Sequence, residues 1–385
     1  MRCSTFQNVR TTRHAGGVIL LSCAIILLSD LRALGGQLTN VETVFLIVME
    51  NHDWASVYGN TDCACINETL LPMASHAEQY FTPSGLHPSE PNYLWLEAGT
   101  NFGIFNDALP AENRISTPNH LTSLLEHAGV SWKTYQESLD AGDSPLTDHS
   151  PYVARHDPFV FFDDIATNDA RRASHVRPYS ELASDLQQGT VARYNFIVPN
   201  ITNDMHSLAS GGHSLQKQGD DWLARETPMI LSSENYAKNG ALFILWDEGD
   251  NETSDGPIGL ILLSPLAKGR GYASNIRYTH SSLLRTLQEI FDVRPFLGDA
   301  ADATDLDDLF ADDQPLAVSL HFTNDLPQLT FTGLTTGKTN KIQISTNLFD
   351  WLTLSTNIMT SNSLSFIDVT ATNDSRRFYR VLEFR

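Results

Sequence analysis

Two acidic pairs stand where two strongly apolar runs end. Thr43–Met49 (TVFLIVM) leads directly into Glu50-Asn51-His52, and residues 241–246 (ALFILW) lead into Asp247-Glu248-Gly249-Asp250. Carboxylates and an amide oxygen at neighbouring strand ends form a hard-oxygen donor set suited to a divalent cation. The plainer reading is that charged residues follow a strand because the chain reaches solvent there. Two pairs after the most apolar runs favour the cation, so Glu50, Asn51, Asp247 and Glu248 are the candidate metal ligands. Oxygen donors suit Mg, Ca or Mn, while a histidine in the shell would admit Zn or Fe.

A third element is His87-Pro88-Ser89-Glu90-Pro91-Asn92. Ser89 with Pro91 spells a helix start, a hydroxyl N-cap with proline in the first turn. Such a terminus also offers unpaired N–H groups and partial positive charge, which suit a phosphoryl anion. A hydroxyl there, beside a divalent cation, would be a nucleophile. Spacing alone leaves both roles open, cap and nucleophile.

Histidines supply groups that neutralise phosphoryl oxygens or protonate a leaving alkoxide. His206, in Asn203-Asp204-Met205-His206, follows the apolar run 194–199 and ranks first. His87 and His280 come next, and His156 (in Arg155-His156-Asp157-Pro158) and His52 follow. Each has a bland alternative as a hydrogen-bonded structural histidine.

The elements that must position these groups alternate. Apolar runs at 43–49, 130–135, 194–199, 241–246 and 258–264 are separated by helical stretches at 70–79, 121–127, 179–186, 222–231 and 280–290. Continuous rather than alternating apolar runs fit parallel strands covered on both faces. The pattern predicts an α/β fold with a mostly parallel sheet flanked by helices, and ligands at the strands' carboxyl ends.

The 385 residues are 41% apolar, enough for a sizeable core. Acidic groups outnumber basic ones 46 to 25, a net charge of −21, which disfavours nucleic acid as a partner. Arginines, the apolar run 17–28 and a small-residue stretch give residues 1–36 the order of a signal peptide, and the run is short for a transmembrane helix. Apolar residues continue past Cys23, against a lipobox. Loss of this segment removes four basic groups and one acid and takes the charge from −21 to −24. The expected product is secreted, periplasmic or extracellular, with no transmembrane segment. Cys63 and Cys65 remain, as a strained local bridge or two free thiols.

The expected boundaries are a signal peptide at 1–36, a catalytic domain at 37–312, an acidic linker at 313–326 and a β-rich module at 327–385. The tail is rich in Thr, Ser and Asn, with short runs split by Gly and Asn, which reads as a small antiparallel all-β module. Cell-surface or glycan contact is one reading of it, and a plain stability or export role is another.

Seven segments in order carry a resemblance: VFLIVMENHDW, HPSEPNYLWLEAGTNFGI, SWKTYQES, RHDPFVFF, NDMHS, LFILWDEGD and YTHSSLLRTLQEIF. Together, over about residues 40–312, they resemble the phosphoesterase family of secreted bacterial acid phosphatases and phospholipases C, within the alkaline-phosphatase-like superfamily. The resemblance implies metal coordination by Glu50, Asn51, Asp247 and Glu248, and Ser89 as nucleophile two positions before Pro91-Asn92. It implies that Asp204 and His206 lie at the phosphoryl group, and carries over His280. Asn92, Asp204 and His156 are expected around the substrate. The implied activity is hydrolysis of small-molecule or lipid phosphate esters. The compact chain favours soluble monoesters over the diesters of a phospholipase C, and a rival reading is a non-catalytic surface-binding protein.

Overall fold

The computed structural model describes residues 2–3, 22–23, 37–251, 254–311, 317–324, 326–334, 338–371 and 376–384. The segment expected to be a signal peptide therefore lies, but for two residue pairs, outside the described residues. The chain divides into two compact units, one of them Gly35–Ala311 and the other including Asp312–Arg385.

The first unit is built on eight strands: β1 (Thr43–Met49), β2 (Ser75–Ala77), β3 (Trp132–Gln136), β4 (Val176–Pro178), β5 (Tyr194–Val198), β6 (Gly240–Trp246), β7 (Leu260–Leu263) and β8 (Tyr272–Ser274). Their spatial order is β8-β2-β7-β6-β1-β5-β3-β4. The pairs β6–β1, β1–β5, β5–β3 and β3–β4 are parallel. Every residue of β1 and β6 is buried, as continuous apolar runs require of central strands covered on both faces.

Register decides which groups meet at the carboxyl edge of this sheet. Thr43 pairs with Gly240 and the ladder runs in step to Met49 opposite Trp246, so Glu50 and Asp247 emerge side by side. The chain then turns back into β7, which runs antiparallel to β6. The sequence pattern predicts a mostly parallel sheet, and this pair is an antiparallel exception within it. A parallel neighbour needs a crossover, commonly helical, whereas the described residues between β6 and β7, 247–251 and 254–259, hold no helix, and β7 returns antiparallel.

Four helices bear on the site: α1 (Ser89–Ala98), α2 (Leu121–His127), α3 (Leu215–Leu231) and α4 (His280–Phe291). α1 is buried almost all round. Tyr93 and Leu96 join the main core, while Leu94 and Ala98 pack with Ile115, Tyr152 and Phe161. α4 begins with a capping box between Thr279 and Ser282 and turns Leu283, Leu287 and Ile290 into the main core. The helix predicted over 70–79 is not there. A π-helical turn, Cys65–Leu70, and the turn Leu71–Met73 lead into β2, whose pairing with β7 overrides local propensity.

The C-terminal unit contains two antiparallel sheets. One pairs Ala317–Thr323, Leu326–Thr332 and Ser363–Ile367, and the other pairs Leu352–Ile358, Thr339–Ser345 and Arg376–Phe384. Leu329, Phe331, Ile342, Tyr379 and Val381 form its core. The strand Ala317–Thr323 occupies half of the range expected as an acidic linker, because Val318 and Leu320 pack against that core.

Candidate active site

The side-by-side exit of β1 and β6 packs carboxylates together. Asn51 N donates to Asp247 Oδ1 at 3.1 Å, and Glu50 N donates to the carbonyl of Asp204 at 2.8 Å, which draws in the loop after β5. The Asn51 side-chain amide lies against the same carboxylates, 2.7 Å from Glu50 Oε2 and 3.2 Å from Asp247 Oδ1. Asn51 holds φ at 45°, in the left-handed region that asparagine enters more readily than most L-residues. Burial raises Glu50 well above the usual carboxylate range, with repulsion from Asp247 and Asp204 adding to it. Burial likewise lifts Asp204, and takes Asp247 to about 6.

α1 aims its first turn at this cluster. Ser89 Oγ donates to Glu50 Oε2 at 2.9 Å, and Tyr93 OH, one turn on, donates to Glu50 Oε1 at 2.6 Å. The two hydroxyls share a helix face because they are four residues apart. Ser89 is not the cap that its spacing suggested. The capping position is Pro88, and the Ser89 side chain points away from the helix to Glu50. Nor are the first N–H groups all open to a ligand: Glu90 N donates to Asp107 Oδ1 at 3.0 Å, and Pro91 has none.

Glu248 sits on the other side of α1's start. Its Oε2 meets His87 Nδ1 at 2.6 Å and accepts from Asn92 Nδ2 at 3.2 Å. Asn92 also donates to the Leu86 carbonyl at 2.9 Å, which ties the loop before Ser89 to the helix after it.

The histidines fall in a different order from the one expected. His156, ranked low from sequence, is at the centre: its Nε2 lies 3.3 Å from Glu50 Oε1 and its Nδ1 3.5 Å from Asp204 Oδ2. Burial first, then Arg155 and His206, hold it well below its ordinary pKa, so it is a neutral imidazole. His206 is half-buried with its ring 6.3 Å from that of His156, and its backbone N–H is fixed by Asp204 Oδ1 at 2.8 Å. His280 is wholly buried, donating from Nε2 to the Asp247 carbonyl at 2.7 Å and meeting Tyr80 OH at 3.1 Å. Burial lowers it to about 4, and its place is behind Asp247, as a support. His52 pairs with Asp250 at 3.0 Å.

A divalent cation fits this donor set. Ligand atoms of Glu50, His156 and Asp204 all lie within 4.8 Å of one another. Asp204 Oδ2, Asp247 Oδ2 and both His156 nitrogens are buried without a hydrogen bond, which in an apolar interior is costly. Neutral imidazole and crowded carboxylates are the forms a cation takes up.

The sequence profile of the phosphoesterase family matches residues 75–294, more than half of the 385. The chain belongs to this family. Phosphatidylinositol-3-phosphatase of Mycobacterium tuberculosis is 30% identical over 271 residues, 70% of this chain and 83% of that protein. The phosphate-repressible acid phosphatase of Penicillium chrysogenum is 30% identical over 241 residues, 59% of this chain and 56% of that one. Among solved structures, the lipoteichoic acid synthase LtaP from Listeria monocytogenes aligns over 87% of this chain and 88% of its own, at 9% identity and a TM-score of 0.47. On the family match the protein is a phosphoester hydrolase, and it is built on a mostly parallel, helix-flanked sheet.

Sequence reasoning missed several supports of the phosphoesterase site. Tyr93 had a signal in its spacing of four from Ser89. Glu137, which follows β3, had only its strand-end position. Its carboxylate accepts from Asn200 N at 2.9 Å, Asn203 Nδ2 at 2.9 Å and Trp222 Nε1 at 3.2 Å, and so holds the loop that carries Asp204. Cys63 and Cys65 are free thiols that burial pushes up to about 12 and about 11, too high for nucleophiles. Among the described residues, no helix is long and apolar enough to cross a membrane.

Proposed function

We propose that this phosphoesterase is an exported, metal-dependent hydrolase of phosphate monoesters that works through a phosphoserine intermediate. The observation that carries this reading is the hydrogen bond from Ser89 Oγ to buried Glu50 Oε2. It places a hydroxyl at the edge of a carboxylate cluster, on a rigid helix start. Glu50, Asn51, Asp247 and Glu248 would hold the cation on the side facing Ser89, with His156 and Asp204 completing the donors around Glu50. A divalent cation there lowers the pKa of a neighbouring hydroxyl and offsets charge on phosphoryl oxygens.

In the first half-reaction the Ser89 Oγ–P bond forms as the P–O bond to the leaving alcohol breaks. In the second, water breaks the Oγ–P bond and releases inorganic phosphate. Glu50 orients Oγ, Tyr93 holds Glu50 Oε1, and His206 faces the phosphoryl oxygens from the loop after β5. His87, gripped by Glu248, borders the leaving-group side. Protonation of the leaving alkoxide by a histidine fits an enzyme working on the acid side.

The named relatives support monoesters, since both are phosphatases. Their names span a lipid headgroup phosphate and an acid phosphatase, so both soluble and lipid monoesters belong in the test. The full chain and its Ser89→Ala variant, each chelated and then resupplied with single divalent metals, are assayed on a chromogenic monoester, a diester, phosphatidylinositol 3-phosphate and phosphatidylcholine. Metal-dependent monoester turnover that falls at least 10³-fold in the variant is the expected result. Retention of most activity by Ser89→Ala overturns the covalent mechanism, and a preference for phosphatidylcholine overturns the monoester reading.

A further inference from the structure

The start of α1 was expected to cradle the phosphoryl anion with free N–H groups, yet Asp107 Oδ1 has taken Glu90 N. The other oxygen of that carboxylate, Asp107 Oδ2, lies 3.5 Å from Arg155 Nε. A cation is therefore anchored one carboxylate away from the nucleophile's neighbour. Arg155 also precedes His156 in the chain, and its positive field acts on His156, His206, Asp204 and Glu90 together. These groups come from the start of α1, the loop after β5 and the His156 turn, and the Asp107 contact ties the guanidinium to the first of these elements.

Its setting is that of a ligand-binding arginine rather than a surface charge. The side chain is 19% exposed, and its Nε is shielded from solvent without forming a hydrogen bond. The Asp107 contact at 3.5 Å is an ion pair and leaves the planar fork of N–H donors geometrically available. The charge arithmetic around the site also calls for it. Four carboxylates, Glu50, Asp204, Asp247 and Glu248, gather at the start of α1 and the ends of β1, β5 and β6, and a divalent cation would offset only two of them. A phosphate monoester adds close to two further negative charges and presents three non-bridging oxygens, whereas a diester adds one charge and two such oxygens.

We infer that Arg155 is the phosphoryl-oxygen clamp of this enzyme, positioned by Asp107, and that it selects dianionic monoesters over monoanionic diesters. The inference rests on the phosphoesterase reading above and assigns its substrate preference to one side chain. The fork binds two phosphoryl oxygens as a bidentate pair, a geometry that a lysine ammonium cannot reproduce.

The test uses the full chain loaded with its activating metal, as wild type, Arg155→Gln and Arg155→Lys, with kcat/KM measured on a chromogenic monoester and its matched diester. A second readout is calorimetric titration of inorganic phosphate into Ser89→Ala and into the Ser89→Ala/Arg155→Gln double variant. Arg155→Gln should lose roughly 10²- to 10³-fold on the monoester, as loss of one preorganised donor does, and at least tenfold less on the diester. Arg155→Lys should recover part of that loss, and phosphate should bind the double variant at least tenfold more weakly than the single one. Equal losses on both esters, or monoester turnover within threefold of wild type, overturn the clamp. If Arg155→Gln does not fold, Arg155→Lys decides by the same comparison of esters. Failure of wild type to turn over either ester would strike the phosphoesterase mechanism instead, and phosphate affinity then judges Arg155 alone: unchanged affinity in the double variant rejects it.

Discussion

Ser89 and Glu50 meet at 2.9 Å across the gap between the start of α1 and the end of β1, 39 residues apart in sequence. Each is fixed by its own element: Ser89 by the first turn of a helix buried on both sides, Glu50 by a central strand with every residue buried. Neither can drift without disturbing the core. The fold thus holds a hydroxyl against a carboxylate cluster at the cost of burying several like charges, an arrangement with a chemical rather than a structural rationale.

Tyr93 is the first test of that arrangement. Its hydroxyl donates to Glu50 Oε1 at 2.6 Å, and its ring stacks on His156 at 5.0 Å between centroids. Tyr93→Phe keeps the stack and deletes the donor, leaving a buried carboxylate oxygen short of a partner at a cost of about 1–3 kcal/mol. We expect kcat to fall about tenfold or more with the melting temperature moved by only a few degrees. An unchanged kcat would mean that Glu50 is held sufficiently by Ser89 and Asn51.

His156 should be read through metal rather than through turnover alone. It offers an imidazole nitrogen that lies with one carboxylate oxygen each of Glu50 and Asp204 in a group within 4.8 Å. His156→Ala should lower metal affinity at least 10-fold and shift preference from Zn or Fe toward Mg, Ca or Mn, because only oxygen donors remain. Competition against a chromogenic chelator across these metals measures both. A variant with wild-type affinity and metal order would place His156 outside the metal's reach.

How much of this was legible before the structure depends on which force set each feature. β1 was read with its bounds intact because its burial on both faces writes a continuous apolar run into the sequence. The pairing of Glu50 with Asp247 followed from two such runs ending in acids, and the in-step register of β1 and β6 brings them together. By contrast β2 was read as helix, since three residues held by pairing with β7 carry little pattern of their own. The role of His156 was hidden for a different reason. It sits in a one-turn 3-10 helix, Ala154–His156, far in sequence from Glu50 and Asp204, and only tertiary packing brings the three together. The roles of Arg155 and Asp107 were hidden on the same ground, because one ion pair between a one-turn helix and a loop leaves no periodicity to read.

Glu137 offers a test of positioning at a distance from the chemistry. It gathers Asn200 N, Asn203 Nδ2 and Trp222 Nε1, and so pins the loop from β5 to Asp204 against α3. Glu137→Ala strands three donors and should loosen residues 199–207, raising amide exchange there at least tenfold while β1 and β6 stay protected. Activity should drop with it, through Asp204 and His206. Undiminished protection of that loop would show that the bond from Glu50 N to the Asp204 carbonyl holds it unaided.

The last prediction concerns stability and separates the fold from the site. His120, wholly buried at the start of α2, meets Glu97 Oε1 at 2.9 Å through Nδ1 and Asp164 Oδ2 at 3.1 Å through Nε2, and stacks on Phe162. Burial pulls its pKa down, but hydrogen bonds and attraction to Asp164 and Glu97 outweigh burial and raise it to about 9. A histidine whose folded pKa exceeds its unfolded value of 6.5 adds stability that is fully present below 6.5 and is lost as pH rises through about 9. The contribution is on the order of 2 kcal/mol, discounted for the solvent that reaches Asp164. Urea unfolding of wild type and His120→Gln at pH 5.5 and pH 9.5 reads it directly. The gap between the two proteins should shrink by about that amount at the higher pH, and a gap that holds constant would mean that His120 has the same pKa folded as unfolded.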